Sequence, residues 1–124
     1  MPVHKPTDAE LKILQVLWDR GPSTVREVFD TLPDNESGYT TVLKLMQIMY
    51  EKDLVTRDAS QRSHIYKAKQ KAEQTQRSLV KDLATRAFGG ATNKLVMQAL
   101  RAKKVSSEEL AEIRELLEEL EGKK

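Results

Sequence analysis

The first 71 residues read as three helices followed by two short strands, and this order constrains the fold more than any other feature. A T-x-x-E capping box at residues 7–10 precedes leucines at helical spacing. Ser23 is a candidate cap for a second helix, and a third is predicted from about 39 to 52. Residues 54–58 and 63–68 have the pattern of strands, with a polar turn between them. Three helices and a hairpin in this order form a winged helix-turn-helix.

The second half of the sequence predicts helices only. They are expected at 73–88, at 92–102 and after a second cap, S-x-x-E, at residues 106–109. We therefore predict a mainly α protein with a small β hairpin, divided into a winged-helix domain (1–71) and a three-helix dimerisation domain (72–124). The last helix carries an apolar seam at 3, 4, 3 spacing, which favours contact with a second copy, although packing within one chain is the alternative. The predicted dimerisation residues are Leu79, Leu83, Phe88, Leu95, Leu110, Ile113, Leu117 and Leu120.

Composition excludes several classes of protein. The 124 residues include no cysteine, so neither a disulfide nor a thiolate metal site is expected. Apolar runs are short, so we expect no membrane insertion, and a cytoplasmic protein is the simplest interpretation. The two histidines lack partners at metal-ligand spacing, and Gly89-Gly90 lacks the pattern of a phosphate loop. The sequence therefore predicts no enzyme, no metal and no cofactor.

The net charge of +2 is small, but the charge is unevenly placed. Residues 44–71 contain seven basic and three acidic residues, a net charge of +4. Residues 105–124 contain seven glutamates and three basic residues, a net charge of −4. Residues 44–71 could therefore face a polyanion, and residues 105–124 would be repelled by one. The alternative is that both stretches are ordinary charged surfaces exposed to solvent.

The third helix carries the residues that point to DNA. A major groove admits one α-helix, and hydroxyl or ammonium groups near that helix's start can reach base edges or phosphates. The hairpin tip can reach phosphate or the minor groove. Each residue has a plainer alternative: Tyr39 could half-bury its ring, and Lys44 could be an ordinary exposed lysine. The predicted DNA-binding residues are Tyr39, Thr40, Thr41, Lys44, Arg57 and Arg62.

A known family has similar strings in the same order. They lie here at 7–11 with 16–18, at 21–28, at 39–43, at 51–52 with 54–57, and at 106–110 with the leucine-rich end. The chain is similar to the bacterial penicillinase and methicillin-resistance repressors and to the related copper-responsive repressors. That resemblance implies a homodimeric repressor in which each winged helix reads one half of a palindromic operator.

The resemblance also implies how the repressor would be released from its operator DNA. Relatives of the antibiotic-resistance type are cleaved after a membrane sensor metalloprotease detects a β-lactam, at an Asn–Phe bond that corresponds to Gln98–Ala99 here. The copper-responsive relatives use a cysteine-rich site, for which this sequence has no residues. Relatives usually have Gly at the position of Asp53, so we expect a left-handed backbone there. They also often have basic residues where this chain has Gln47 and Ile48.

A function of a different class remains open. Winged helices also act as protein-interaction or scaffold modules without specific DNA binding, and a nearly balanced net charge is compatible with that role.

Overall fold

The computed structural model describes residues 5–33 and 38–122. It contains six helices and one hairpin within those ranges. In chain order the elements are α1 (Asp8–Arg20), α2 (Val25–Thr31), α3 (Tyr39–Glu51), β1 (Val55–Asp58), β2 (Ile65–Ala68), α4 (Ala72–Phe88), α5 (Thr92–Ala102) and α6 (Ser107–Gly122). The predicted fold class, mainly helical with a small hairpin, is confirmed.

Helix α1 begins directly after the capping box that the sequence predicted. The Thr7 hydroxyl accepts a hydrogen bond from the Glu10 N–H at 3.2 Å, and Glu10 Oε1 accepts one from the Thr7 N–H at 2.9 Å. Both halves of the capping box are therefore formed. Gly21, with φ of +93°, ends the helix, and its N–H donates to the Leu17 carbonyl.

The predicted cap of α2 is wrong by one residue. Thr24 is the N-cap: its hydroxyl accepts from the Glu27 N–H at 3.1 Å, and Glu27 Oε1 accepts from the Thr24 N–H at 2.9 Å. Ser23 is instead fully buried, and its N–H and C=O bond to the backbone of Tyr66 at 2.9 and 2.8 Å. Ser23 forms an isolated antiparallel β-bridge with Tyr66. Since its backbone is bonded there, the helix begins one residue later and Thr24 is its cap.

The hairpin pairs β1 and β2 antiparallel, from Val55 opposite Ala68 to Asp58 opposite Ile65. Both strands are shorter than predicted, since β1 starts at Val55 and β2 at Ile65. The loop between them covers residues 59–64. Hydrogen bonds from the Ser60 side chain and backbone hold the pKa of the Asp58 carboxyl below its usual range, and they fold the first turn of this loop.

One apolar core holds α1, α2, α3 and the hairpin together. Each burial of a large apolar side chain stabilises the fold by roughly 1.5–3 kcal/mol. The buried residues of α3 are Val42, Met46 and Met49, and Leu45 beside them is half-buried. The fully buried side chains of this core are Ile13, Val28, Met46, Met49, Val55 and Tyr66.

The chain divides into two compact units, Met1–Leu79 and Val80–Lys124. The first turns of α4 belong to the first unit, where Thr75 is buried and the Trp18 indole N–H donates to the Gln70 carbonyl at 2.9 Å. The domain boundary proposed after Lys71 stays a prediction.

The second unit comprises the rest of α4 together with α5 and α6. Gly89 and Gly90, with φ of +57° and +84°, follow α4. Ser106 and Glu109 form the predicted capping box of α6. Among the described residues, no helix is long and apolar enough to span a membrane.

Candidate DNA-binding surface

One face of α3 is polar and exposed. Its members recur at intervals that place them on a single side of the helix. The opposite side is anchored in the core by Val42, Met46 and Met49. The helix is therefore held by one face while the other presents two hydroxyls, an ammonium group and an amide to solvent. The residues exposed on this side are Thr40, Thr41, Lys44 and Gln47, with Ile48 beside them and Glu51 in the last turn.

Tyr39 lies apart from this exposed face. Its ring is half-buried and meets the Phe29 ring of α2 edge-on, with centroids 5.9 Å apart and an interplanar angle of 77°. Of the two placements that the sequence left open for Tyr39, the structure has the half-buried one. Hence Tyr39 joins the start of α3 to α2.

Arg26 of α2 completes this aromatic contact and was not among the predicted DNA-binding residues. Its guanidinium carbon lies 4.5 Å from the centroid of the Tyr39 ring and 5.8 Å from that of Phe29. Cation–π contacts of this kind restrict a long side chain while leaving its charge in place. The local signal was an arginine one helical turn before a phenylalanine; the contact with Tyr39 depends on the tertiary fold.

Arg57 is placed by a similar contact at the other end of α3. Its guanidinium carbon lies 4.1 Å from the centroid of the Tyr50 ring. Arg57 shares a face of β1 with the buried Val55, so its side chain is directed towards the last turns of α3. Its charge is therefore held beside α3 and away from the hairpin tip.

Arg62 lies exposed in the hairpin loop. A cleft of about 270 Å³ opens between this loop, α3 and the beginning of α2. The cleft gathers two arginines, Arg26 and Arg62, that lie far apart in sequence. Its other lining residues include Tyr39, Leu43, Gln47 and His64.

Two basic residues counted in the positive stretch are paired with carboxylates. Lys52 donates to both carboxylate oxygens of Glu10, and Lys69 pairs with Asp53. Both lysines are therefore partly neutralised and contribute little to a positive surface, and the buried pair of Lys52 with Glu10 also stabilises the fold. The positive charge that remains near α3 therefore comes mainly from Lys44 and from arginines, including the one on α2.

The predicted dimerisation residues lie on α4, α5 and α6, and none of them is buried. Leu83, Leu117 and Leu120 are 43%, 52% and 59% exposed. The remaining five are half-buried: Leu79, Phe88, Leu95, Leu110 and Ile113. Apolar side chains this exposed leave a large area for contact with another surface.

The predicted cleavage bond lies within α5. Gln98 and Ala99 are both exposed, and both have helical backbone. A protease that acts on this bond would therefore first need the helix to open locally.

Comparisons with known proteins agree with the fold and with the motifs. The model of the penicillinase repressor family matches residues 6–119. A penicillinase repressor of Staphylococcus aureus is 20% identical over 116 residues, which cover 93% of this chain and 92% of that protein. The crystal structure of a transcriptional regulator of Thermotoga maritima is 20% identical and superimposes with a TM-score of 0.52, covering 94% of this chain and 74% of that one. This last likeness shows a shared winged-helix fold. The chain therefore belongs to the penicillinase repressor family, as its sequence motifs predicted, and is a transcriptional regulator of the repressor type.

Proposed function

We propose that this chain is a repressor that binds palindromic operator DNA as a homodimer. The observation that carries the proposal is the division of α3 into a buried face and an exposed polar face. A helix fixed in this way can enter a major groove about 12 Å wide without losing its contacts with the core. Family membership supports the same function.

In this proposal, the exposed face of α3 reads the bases. The Thr40 and Thr41 hydroxyls lie in the first turn, and the Lys44 ammonium lies one turn further on. Hydroxyls bond to donors or acceptors on base edges, and lysine prefers the acceptors of guanine. These three residues would select the operator sequence, and Tyr39 would set the angle at which α3 leaves α2.

The arginines near α3 would contact phosphates. Arg62 extends from the hairpin loop, and Arg57 is held over Tyr50 beside the last turns of α3. Phosphate contacts of this kind fix the register of a protein on the duplex and carry no sequence information. They would also make binding depend on salt concentration.

The dimer would form through the apolar side chains of α4, α5 and α6. Their exposure supports this part of the proposal, because such side chains are stabilised when a second copy covers them. Two linked winged helices bind two half-sites at a fixed spacing, which raises both affinity and specificity.

Release of the DNA would follow from loss of the dimer. In the β-lactam type of regulation, a membrane sensor metalloprotease would trigger cleavage between Gln98 and Ala99. That bond lies in α5, within the unit that we assign to dimerisation. One cut there would separate α6 from the rest of the chain.

The test begins with selection of duplexes from a random pool by the full chain, followed by gel shifts at 50 and 200 mM salt. Sequence-selective retention that weakens with salt is expected. Retention of no DNA at either salt concentration would contradict the proposal and favour the scaffold function. The double variant Leu117→Glu, Leu120→Glu should be monomeric in sedimentation and should bind about a hundredfold more weakly.

The matched control is Ala111→Glu, which adds a carboxylate to an exposed position on α6 away from the leucine row. It should remain dimeric and bind as the wild type does. A monomeric double variant that binds operator as tightly as the wild type would exclude the dimer-coupled mechanism.

A further inference from the structure

We propose that the cleft between α3 and the hairpin loop holds one phosphate of the operator backbone, and that Arg26 of α2 is the residue that binds it opposite Arg62. This inference rests on the proposed function and adds to it a contact residue outside α3 and the hairpin.

Two aromatic rings hold Arg26 in place. The rings of Tyr39 and Phe29 lie 4.5 and 5.8 Å from its guanidinium carbon, so the side chain is restricted before any ligand arrives. Arginine is well suited to this task, because its planar group stacks on rings with one face and keeps N–H donors along its edges. A side chain that is already ordered loses less entropy when it binds.

The charge of Arg26 is poorly compensated. Arg26 Nη1 lies 3.9 Å from Asp30 Oδ1, which is beyond hydrogen-bond distance, and both side chains are more than 60% exposed. Exposed pairs of this kind contribute little binding energy. A phosphate oxygen could therefore bond to the guanidinium without displacing a strong partner.

The cleft lies along one flank of α3. Gln47 belongs to the exposed face of α3 and also lines the cleft, so the opening begins beside the proposed base-reading row. An α-helix with its side chains is about 10–12 Å wide and fills a major groove about 12 Å wide. The backbone strand that borders the groove must then pass along the flank of α3. On the side of the hairpin, that flank is the cleft, with Arg26 at one wall and Arg62 at the other.

The test compares salt dependence in full-chain variants, on a duplex that the wild-type protein has selected. One phosphate contact per subunit is two per dimer, so Arg26→Gln should reduce the slope of log K against log salt by about 1.8. Tyr39→Leu removes the ring that holds Arg26 but leaves its charge, so it should weaken binding while keeping most of the slope. The control Lys12→Gln removes a charge from the exposed side of α1, which contributes no residue to the cleft, and should leave the slope unchanged.

Arg26→Lys separates lost charge from lost packing. It should keep most of the slope, because it keeps the charge; a loss equal to that of Arg26→Gln would overturn the inference. An unchanged slope in Arg26→Gln would do the same while leaving the proposed function intact. Failure of the wild-type protein to select any DNA would overturn both. Saturable binding of inorganic phosphate by the wild type without DNA, lost in Arg26→Gln, would assign the cleft to a small anion instead.

Discussion

Lys52, the residue that follows α3, donates hydrogen bonds to both carboxylate oxygens of Glu10, at 2.8 and 3.0 Å, and Glu10 is only 2% exposed. The same carboxylate accepts a hydrogen bond from the Thr7 N–H at the start of α1. One buried group therefore caps the first helix and fixes the end of the helix that we propose reads DNA.

Removing one partner of this pair should destabilise the fold. Lys52→Met leaves the Glu10 carboxylate buried without its cation, at an expected cost of about 3 kcal/mol in the free energy of unfolding. Urea titration would measure it. The control Arg20→Met breaks the exposed Arg20–Glu27 pair and should change stability little. Equal losses in the two variants would mean that the buried pair has no special role.

Stability should fall in acid through Glu10. Burial raises the pKa of its carboxyl, but the hydrogen bonds from Lys52 and Thr7 outweigh this, and the pKa in the folded protein is lower than the usual 4.5. The unfolded chain therefore takes up the proton first as pH falls. The stabilisation by Glu10 is complete above about pH 4.5 and is lost as pH falls through the lower, folded-state pKa. Melting temperatures measured from pH 6 to pH 3 should drop less steeply in Glu10→Gln, and an identical pH profile would contradict this assignment.

Replacing Asp53 with glycine should change the stability of the fold little, whereas replacing it with valine should lower the stability. Its φ of +68° is left-handed, as the usual glycine of relatives at this position led us to expect. Asp53→Val should cost about 1–2 kcal/mol, because a β-branched side chain is strained in this conformation. Asp53→Gly relieves strain but loses the exposed pair with Lys69, so its stability should stay within about 1 kcal/mol of the wild type. Both variants lose the pair with Lys69, so thermal unfolding of the two compares backbone strain alone, and a glycine variant no more stable than the valine variant would contradict strain at this position.

Lys44 and Arg62 should affect DNA binding in different ways. Lys44→Ala should weaken binding to the selected operator by about 1–3 kcal/mol. It should also reduce the difference in affinity between the operator and non-specific sequences. Arg62→Ala should weaken binding to all sequences alike and reduce the salt slope. Gel shifts on operator and scrambled duplexes would measure both effects. Unchanged affinity in both variants would remove these contacts from the site.

Local patterns in the sequence were enough to predict the helices, because their signals lie within one turn. The capping boxes that start at Thr7 and Ser106 are examples. Contacts between distant segments could not be predicted in the same way. Ser23 resembled a helix cap but pairs with Tyr66, and Glu10 meets a lysine 42 residues away. Arg26 had no signal for its contact with Tyr39, since that contact depends on how α2 packs against α3.

The bridge between Ser23 and Tyr66 has a consequence for any duplex that touches both α3 and the hairpin. Strand β2 is bonded to β1 along one edge and to Ser23 along the other, so the base of the hairpin is tied by main-chain bonds to the turn before α2. These bonds, together with the shared core, hold the hairpin at a fixed distance from α3. DNA that spans it would have to bend or adjust its groove width to fit, and sequences that deform easily would gain an advantage that no base contact explains.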